Sequence, residues 1–279
     1  MAILKKQNNF VQRFFSIVFF TPVIVFAIFW SAWTYFFLFF YVVMLAMLEL
    51  YKLLKQAKVA PMRGYGIWLG LLLYTLAFSY YLQNNFLPLL SYGSILFTVL
   101  IYIAALYRQP SNPFLDIAVT FLGILYIAVP FGMLHYLAFF KGIYSHQLIL
   151  GLLIIVWSQD TGAYLVGSTI GKSKFFKRIS PQKTWEGFGG GALFALVTGY
   201  VIACFFNILP LWQWLAISAI TILTGTYGDL VASLLKRSVD VKNASEMIPG
   251  HGGLLDRVDS LLLTIPTVVA FLKITLLCG

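Results

Sequence analysis

The chain has 279 residues, of which 61% are apolar and only 10% charged, with a formal net charge of +10. A typical soluble domain is about 45–50% apolar and about 25% charged, so a water-soluble globule of this length is excluded. The basic residues are scattered between apolar runs without a stacking platform, which argues against nucleic acid as a partner and for membrane topology as their cause.

Lys5, Lys6 and Arg13 give the chain the basic start of a signal peptide. The apolar stretch behind them is too long for one and no soluble domain follows, so it reads as a retained anchor. Residues 14 to 48 contain no charged side chain. As one helix they would run for roughly 50 Å against a hydrocarbon core of about 30 Å, which predicts two short spans joined by a turn near Ser31. Continuing along the chain, the apolar blocks predict roughly nine spans, at about 14–30, 32–48, 65–82, 88–107, 117–140, 147–169, 188–206, 211–235 and 260–277. The expected fold is therefore an all-α polytopic integral membrane protein. It reads as a single membrane domain over 1–279, with a hydrophobic scaffold half (1–146) and a catalytic half (147–279).

Charge orients this drawing. With the N-terminus in the cytoplasm, the inside segments hold seventeen of the nineteen Lys and Arg residues, and only Lys141 and Lys273 fall elsewhere. Cys204 and Cys278 lie in apolar segments and offer neither a metal cluster nor a disulfide framework.

Seven of the nine acidic residues lie beyond residue 146, leaving only Glu49 and Asp116 before it. Asp160 sits in the run ILGLLIIVWSQDTGAYLVGSTIG, where a carboxylate must face protein, water or a cation, because burying it in lipid costs about 2.5–3.5 kcal/mol. In ITILTGTYGDLVASLLKR, the residues Asp229, Ser233 and Lys236 are spaced i, i+4, i+7 and share a helical face. Snorkelling would explain Lys236 and Arg237 but not Asp229. Two cytoplasmic loops complete the set. GKSKFFKRISPQKTWEG (171–187) leads into Gly189, Gly190 and Gly191, and KNASEMIPGHGGLLDRVD (242–259) leads into the last span. Asp256 and Asp259, three apart, can face one site if a helix begins near Leu254.

Carboxylates beside lysines and arginines near the headgroup plane suit phosphate chemistry with a divalent metal. Mg²⁺ is usually held by one or two carboxylates plus substrate phosphates, while Lys and Arg neutralise the other oxygens. With no GxxxxGK[ST] loop and no GxGxxG, soluble nucleotide-binding scaffolds are excluded. The residues alone indicate a metal-assisted enzyme acting on a phosphorylated lipid.

The stretch SLLKRSVDVKNASEMIPGHGGLLDRVD (233–259) resembles the signature of CDP-diacylglycerol synthases, also called phosphatidate cytidylyltransferases. Ser233, Lys236, Arg237, Lys242, Ser245, Pro249, His251, Gly252, Gly253, Asp256, Arg257 and Asp259 match it. ISPQKTWEG is similar to the family's Ser-Pro-x-Lys-Thr-x-Glu-Gly block at Ser180, Pro181, Lys183, Thr184, Glu186 and Gly187, and DTGAY with Gly167 and Gly171 is similar around Asp160. The likeness covers about residues 150 to 270. The departure is Asn243, where the family usually has Asp.

The resemblance implies transfer of a cytidylyl group from CTP to phosphatidic acid, giving CDP-diacylglycerol and pyrophosphate. It implies Mg²⁺, with Asp229 and Asp256 as metal ligands and Asp259 as a further carboxylate, and leaves a second cation open. Lys236 and Arg237 join these as catalytic residues. Ser180, Lys183, Ser233, Lys242, His251, Arg257 and Asp160 are expected to bind substrate. The expected setting is the inner cell membrane with the site facing the cytoplasm. The expected partners are CTP, phosphatidic acid and the bilayer, without nucleic acid, and a homodimer is left open. Two rivals use similar parts: a CTP-dependent lipid-alcohol kinase, which would release CDP, and a transporter using its intramembrane carboxylates. Against the transporter, the charged motifs cluster at one membrane face and no paired broken helices appear.

Overall fold

The computed structural model describes residues 21–57, 59–83, 87–108, 112–176, 178–239 and 253–278. Within them the chain is helical apart from loops and one small hairpin. Helix α1 covers Thr21–Trp30. Ser31 ends it and caps α2 (Ala32–Leu54), accepting the Thr34 amide at 3.2 Å while the Thr34 hydroxyl accepts the Ser31 amide at 3.1 Å. This reciprocal cap is the turn expected at Ser31.

There follow α3 (Arg63–Tyr81), α4 (Leu87–Tyr107) and α5 (Pro113–Gly123), which passes through a π-helical turn at Ile124–Ala128 into α6 (Val129–Ala138). Then come α7 (Gln147–Ile170), strands β1 (Lys174–Phe176) and β2 (Ser180–Thr184), α8 (Trp185–Phe205), α9 (Leu211–Ser238) and α10 (Leu255–Cys278).

With α5 and α6 taken as one span, each expected span falls on a helix, the first only from residue 21 within the described residues. Seven of these helical spans are long and apolar enough to cross a bilayer. Helix α3, with three glycines and four tyrosines, has the length but is not among the seven. Large apolar side chains such as Trp68, Leu106, Tyr107 and Leu277 lie exposed, as suits surfaces that face lipid. The protein is an all-α, multi-pass membrane protein.

The chain divides into two compact units: Met1–Gly132 with Val241–Arg257, and Met133–Asp240 with Val258–Gly279. In the first unit α2 carries the core. Phe36 packs on Phe78 at 4.5 Å between ring centroids and on Tyr74 at 5.4 Å. The Tyr51 hydroxyl donates to the Thr120 carbonyl at 2.7 Å, and Asp116 accepts the Ala60 amide at 2.9 Å. Asp116 thus anchors the loop before α3 rather than joining any chemistry.

In the second unit α7 and α8 lie close together, because the glycine run leaves room: a Cβ on Gly191 would stand 2.9 Å from the Gln159 carbonyl. Lys273, one of the two lysines outside the charge pattern, lies over the Tyr136 ring at 5.1 Å.

Candidate functional site

The loop ahead of α8 is more ordered than a basic connector needs to be. It folds into an antiparallel hairpin of β1 and β2, with Lys174 opposite Thr184 and Phe176 opposite Ser180. Aromatic contacts hold it against the helix start. Phe175 meets Trp185 edge-on at 4.3 Å and stacks on Phe188 at 5.6 Å. Thr184 caps α8 by accepting the Gly187 amide at 3.1 Å. This cap starts the helix at Trp185, three residues before the expected 188. Glu186 accepts the amides of Lys172 at 3.1 Å and Ser173 at 3.0 Å, closing the loop from the other side. Within ISPQKTWEG, then, Thr184, Trp185 and Glu186 build the shape.

Lys183 is the member that reaches out. Its Nζ stands 2.5 Å from Asp229 Oδ2 on α9 and donates to the Thr226 carbonyl at 3.3 Å. The two side chains are 26% and 34% exposed, so this pair is open to a ligand rather than sealed in the core. On the same face of α9, Ser233 Oγ donates to Asp229 Oδ1 at 3.4 Å, in keeping with the expected i, i+4 spacing.

Helix α10 meets α9 at Gly228. A Cβ there would lie 2.6 Å from the Asp259 carbonyl oxygen, so only glycine allows this approach. It brings buried Asp259 within electrostatic range of Asp229, Lys236 and Asp160. Asp259 Oδ1 accepts the Ser260 amide at 2.7 Å, which orients the carboxylate. The basic pair Lys236–Arg237 is split by the helix: Lys236 is 9% exposed and interacts with Asp259, whereas Arg237 is exposed.

The second unit therefore gathers Asp160, Lys183, Asp229, Ser233, Lys236 and Asp259, with Ser180 half-buried at the start of β2. Asp256 and Arg257 belong to the first unit, in the first turn of α10, which begins at Leu255, next to the Leu254 named from the sequence. Lys242, His251 and Asn243 lie outside the described residues.

Sequence reasoning missed Gln159. It is buried on α7, and its Nε2 donates to the Ile222 carbonyl at 3.2 Å and to Thr226 Oγ1 at 3.1 Å. Gln159 and Lys183 thus hold the same residue of α9, one through its hydroxyl and one through its carbonyl. The only signal was a lone amide in an apolar run beside Asp160. Glu49, buried near the end of α2, was also passed over.

Among the described residues, no group of three or more His, Cys, Asp or Glu side chains is arranged to hold a metal. A Mg²⁺ ion bound through one or two carboxylates and substrate phosphates does not need such a group. Asp229 fits that use: it is a hard oxygen donor, partly exposed, and among the described residues Oδ1 carries the long 3.4 Å contact from Ser233.

Fold and cluster together define a class: a polytopic helical membrane protein whose hairpin and adjoining helices collect lysines and carboxylates in one unit. Within that class, residues 11–275 match the cytidylyltransferase family, and the chain belongs to it. The phosphatidate cytidylyltransferase of Bacillus subtilis is 45% identical over 114 residues, 40% of this chain and 42% of that protein. The phosphatidate cytidylyltransferase of Staphylococcus saprophyticus is 41% identical over 155 residues, and that of Staphylococcus aureus 40%; each alignment covers 55% of this chain and 58% of the relative. The chain thus spans about half the length of the curated relatives it matches.

Proposed function

We propose that this protein transfers the cytidylyl group of CTP to phosphatidic acid, releasing pyrophosphate and forming CDP-diacylglycerol. The observation that carries this reading is the Lys183–Asp229 pair, which brings the lysine of one family motif to a carboxylate four residues ahead of another at one partly open position. In the reaction a phosphate oxygen of the lipid attacks the α-phosphorus of CTP. The bond from that phosphorus to the bridging oxygen of the β-phosphate breaks, and pyrophosphate leaves.

Both reactants are anions, so the barrier lies in bringing them together and in stabilising the charge that moves to the leaving group. Lys183 is suited to meet phosphate oxygens because Asp229 and the Thr226 carbonyl hold its ammonium in place. Lys236, held near Asp259, offers a second cation whose stem is buried and whose position is therefore restricted. Asp229 is proposed as a Mg²⁺ ligand on its exposure and donor type; the same role at Asp256 rests on its motif match. When bound, the ion neutralises phosphate oxygens and helps align the reactants. Arg237, Arg257, Ser180, Ser233, Asp160, Lys242 and His251 remain proposed contacts to substrate.

The proposed setting is the cell membrane with the site on the cytoplasmic side, where CTP is available. Purified protein given CTP, phosphatidic acid and Mg²⁺ should release pyrophosphate and yield a cytidine-labelled lipid. Release of CDP with a phosphorylated lipid alcohol would instead identify a kinase, and the absence of any CTP-dependent product would overturn the reading.

A further inference from the structure

Glu49 stands near the end of α2, in the half of the chain that carries little chemistry, and it is completely buried. A buried carboxylate is costly unless hydrogen bonds or charges compensate it. Its Oε2 accepts the backbone amide of Leu255 at 2.8 Å. Leu255 is the first residue of α10, and the next residue is Asp256.

The amides at a helix start lack partners within the helix, and most helices satisfy one of them with a local Ser, Thr, Asp or Asn. Gly253 and Leu254, just before α10, have no such side chain. The capping group comes instead from α2, and it places a carboxyl oxygen at the end of the helix where the dipole favours an acceptor. The fit is close: a Cβ built on Gly253 would overlap the Glu49 carboxylate. The second glycine of the His-Gly-Gly block therefore makes room for Glu49, and the two residues define the start of α10 together. All of these residues lie in the first unit.

We infer that Glu49 is a positioning residue for the reaction: it fixes the first turn of α10, and with it the backbone that carries Asp256 and Arg257. This rests on the cytidylyltransfer reading above.

The test compares full-length wild type with Glu49→Ala, Glu49→Asp, Gly253→Ala and the Glu49→Asp/Gly253→Ala double variant. Glu49→Ala should lower kcat about 10–100-fold, the range seen when an orienting partner is lost. KM for CTP should stay near wild type, half-saturating Mg²⁺ should rise, and amide exchange at Leu255–Arg257 should quicken. Glu49→Asp keeps an acceptor and should fall in between. Gly253→Ala should be impaired, and the shorter Asp in the double variant should make room for the new methyl group and restore part of the loss. That comparison also decides the matter if Glu49→Ala fails to fold.

A lower Tm with unchanged kcat and unchanged Mg²⁺ dependence would overturn the positioning role, as would a double variant no better than the product of the two singles. A wild type without cytidylyltransfer would overturn the proposed reaction and this role with it, whereas an active wild type with indifferent Glu49 variants would overturn this role alone.

Discussion

Lys183 and Asp229 meet at 2.5 Å, tying the hairpin ahead of α8 to the second half of α9. Each holds the other in place at a partly exposed position, where the proposed roles are an ammonium for phosphate oxygens and a carboxylate for Mg²⁺. Residues that work as a unit lose their effect together, so their mutations should not add. Lys183→Met and Asp229→Asn should each lower turnover about a hundredfold or more, the scale of losing a charge-stabilising element. The double variant should be no worse than the more damaged single one. Steady-state rates of the three variants check this, and multiplicative losses would separate the two roles.

Thr184 provides the contrast within the same motif block. Its hydroxyl caps α8 and points at backbone rather than at the Lys183–Asp229 pair. Thr184→Ala should lower stability by about 1 kcal/mol, as cap removal typically does, while kcat of the folded protein stays close to wild type. Thermal unfolding read beside turnover tests the distinction. A large loss of kcat without loss of stability would move Thr184 into the chemistry.

Gly228 allows α9 and α10 to approach, and the atom that a new methyl group would meet is the backbone oxygen of Asp259, which cannot rotate away. Gly228→Ala should therefore cost about 1–3 kcal/mol, as overpacking does, and should lower activity by shifting Asp259 away from Asp229 and Lys236. Denaturation and rate measurements on the same preparation check both. A stable, fully active variant would show that the close approach is not required.

The charge count predicts which side the loops face. Single cysteines placed in 171–187 and 238–255 of a cysteine-free variant should react with an impermeant thiol reagent only from the cytoplasmic side. Labelling of either loop from outside intact cells would reverse the proposed orientation and the access of CTP.

Asn243 tests how the substituted loop works. An amide is a weaker Mg²⁺ ligand than a carboxylate, though its carbonyl can accept a hydrogen bond. If position 243 orients Lys242 or the loop, the parent protein is active and Asn243→Asp changes its rate by no more than about 10–100-fold. Asp256→Asn, by contrast, should lower turnover about a hundredfold or more, as loss of a direct ligand would. Cytidylyltransfer across a Mg²⁺ titration measures both. A silent parent rescued more than a thousandfold (roughly 4 kcal/mol of barrier) by Asn243→Asp would make 243 a direct ligand position.

The membrane-spanning character, the helix at each expected span, the turn at Ser31 and the residues on which the chemistry is proposed to rest are legible in the sequence alone. Their signals are local: an apolar run of fixed length, a charge-free stretch too long for one span, a motif of closely spaced charges. Only the tertiary structure decided which of those residues meet. Composition cannot tell that Lys183 faces Asp229, that Lys236 turns inward while Arg237 does not, or that Gln159 and Lys183 share Thr226. Those outcomes depend on how each helix is rotated about its axis and how closely its neighbour can approach, which small residues such as Gly191 and Gly228 determine through contacts remote in sequence. Glu49 makes the same point from the other half of the chain. Read in sequence it is an isolated acid at the end of an apolar run, and it becomes the cap of α10 only because folding places it against Leu255, 206 residues away.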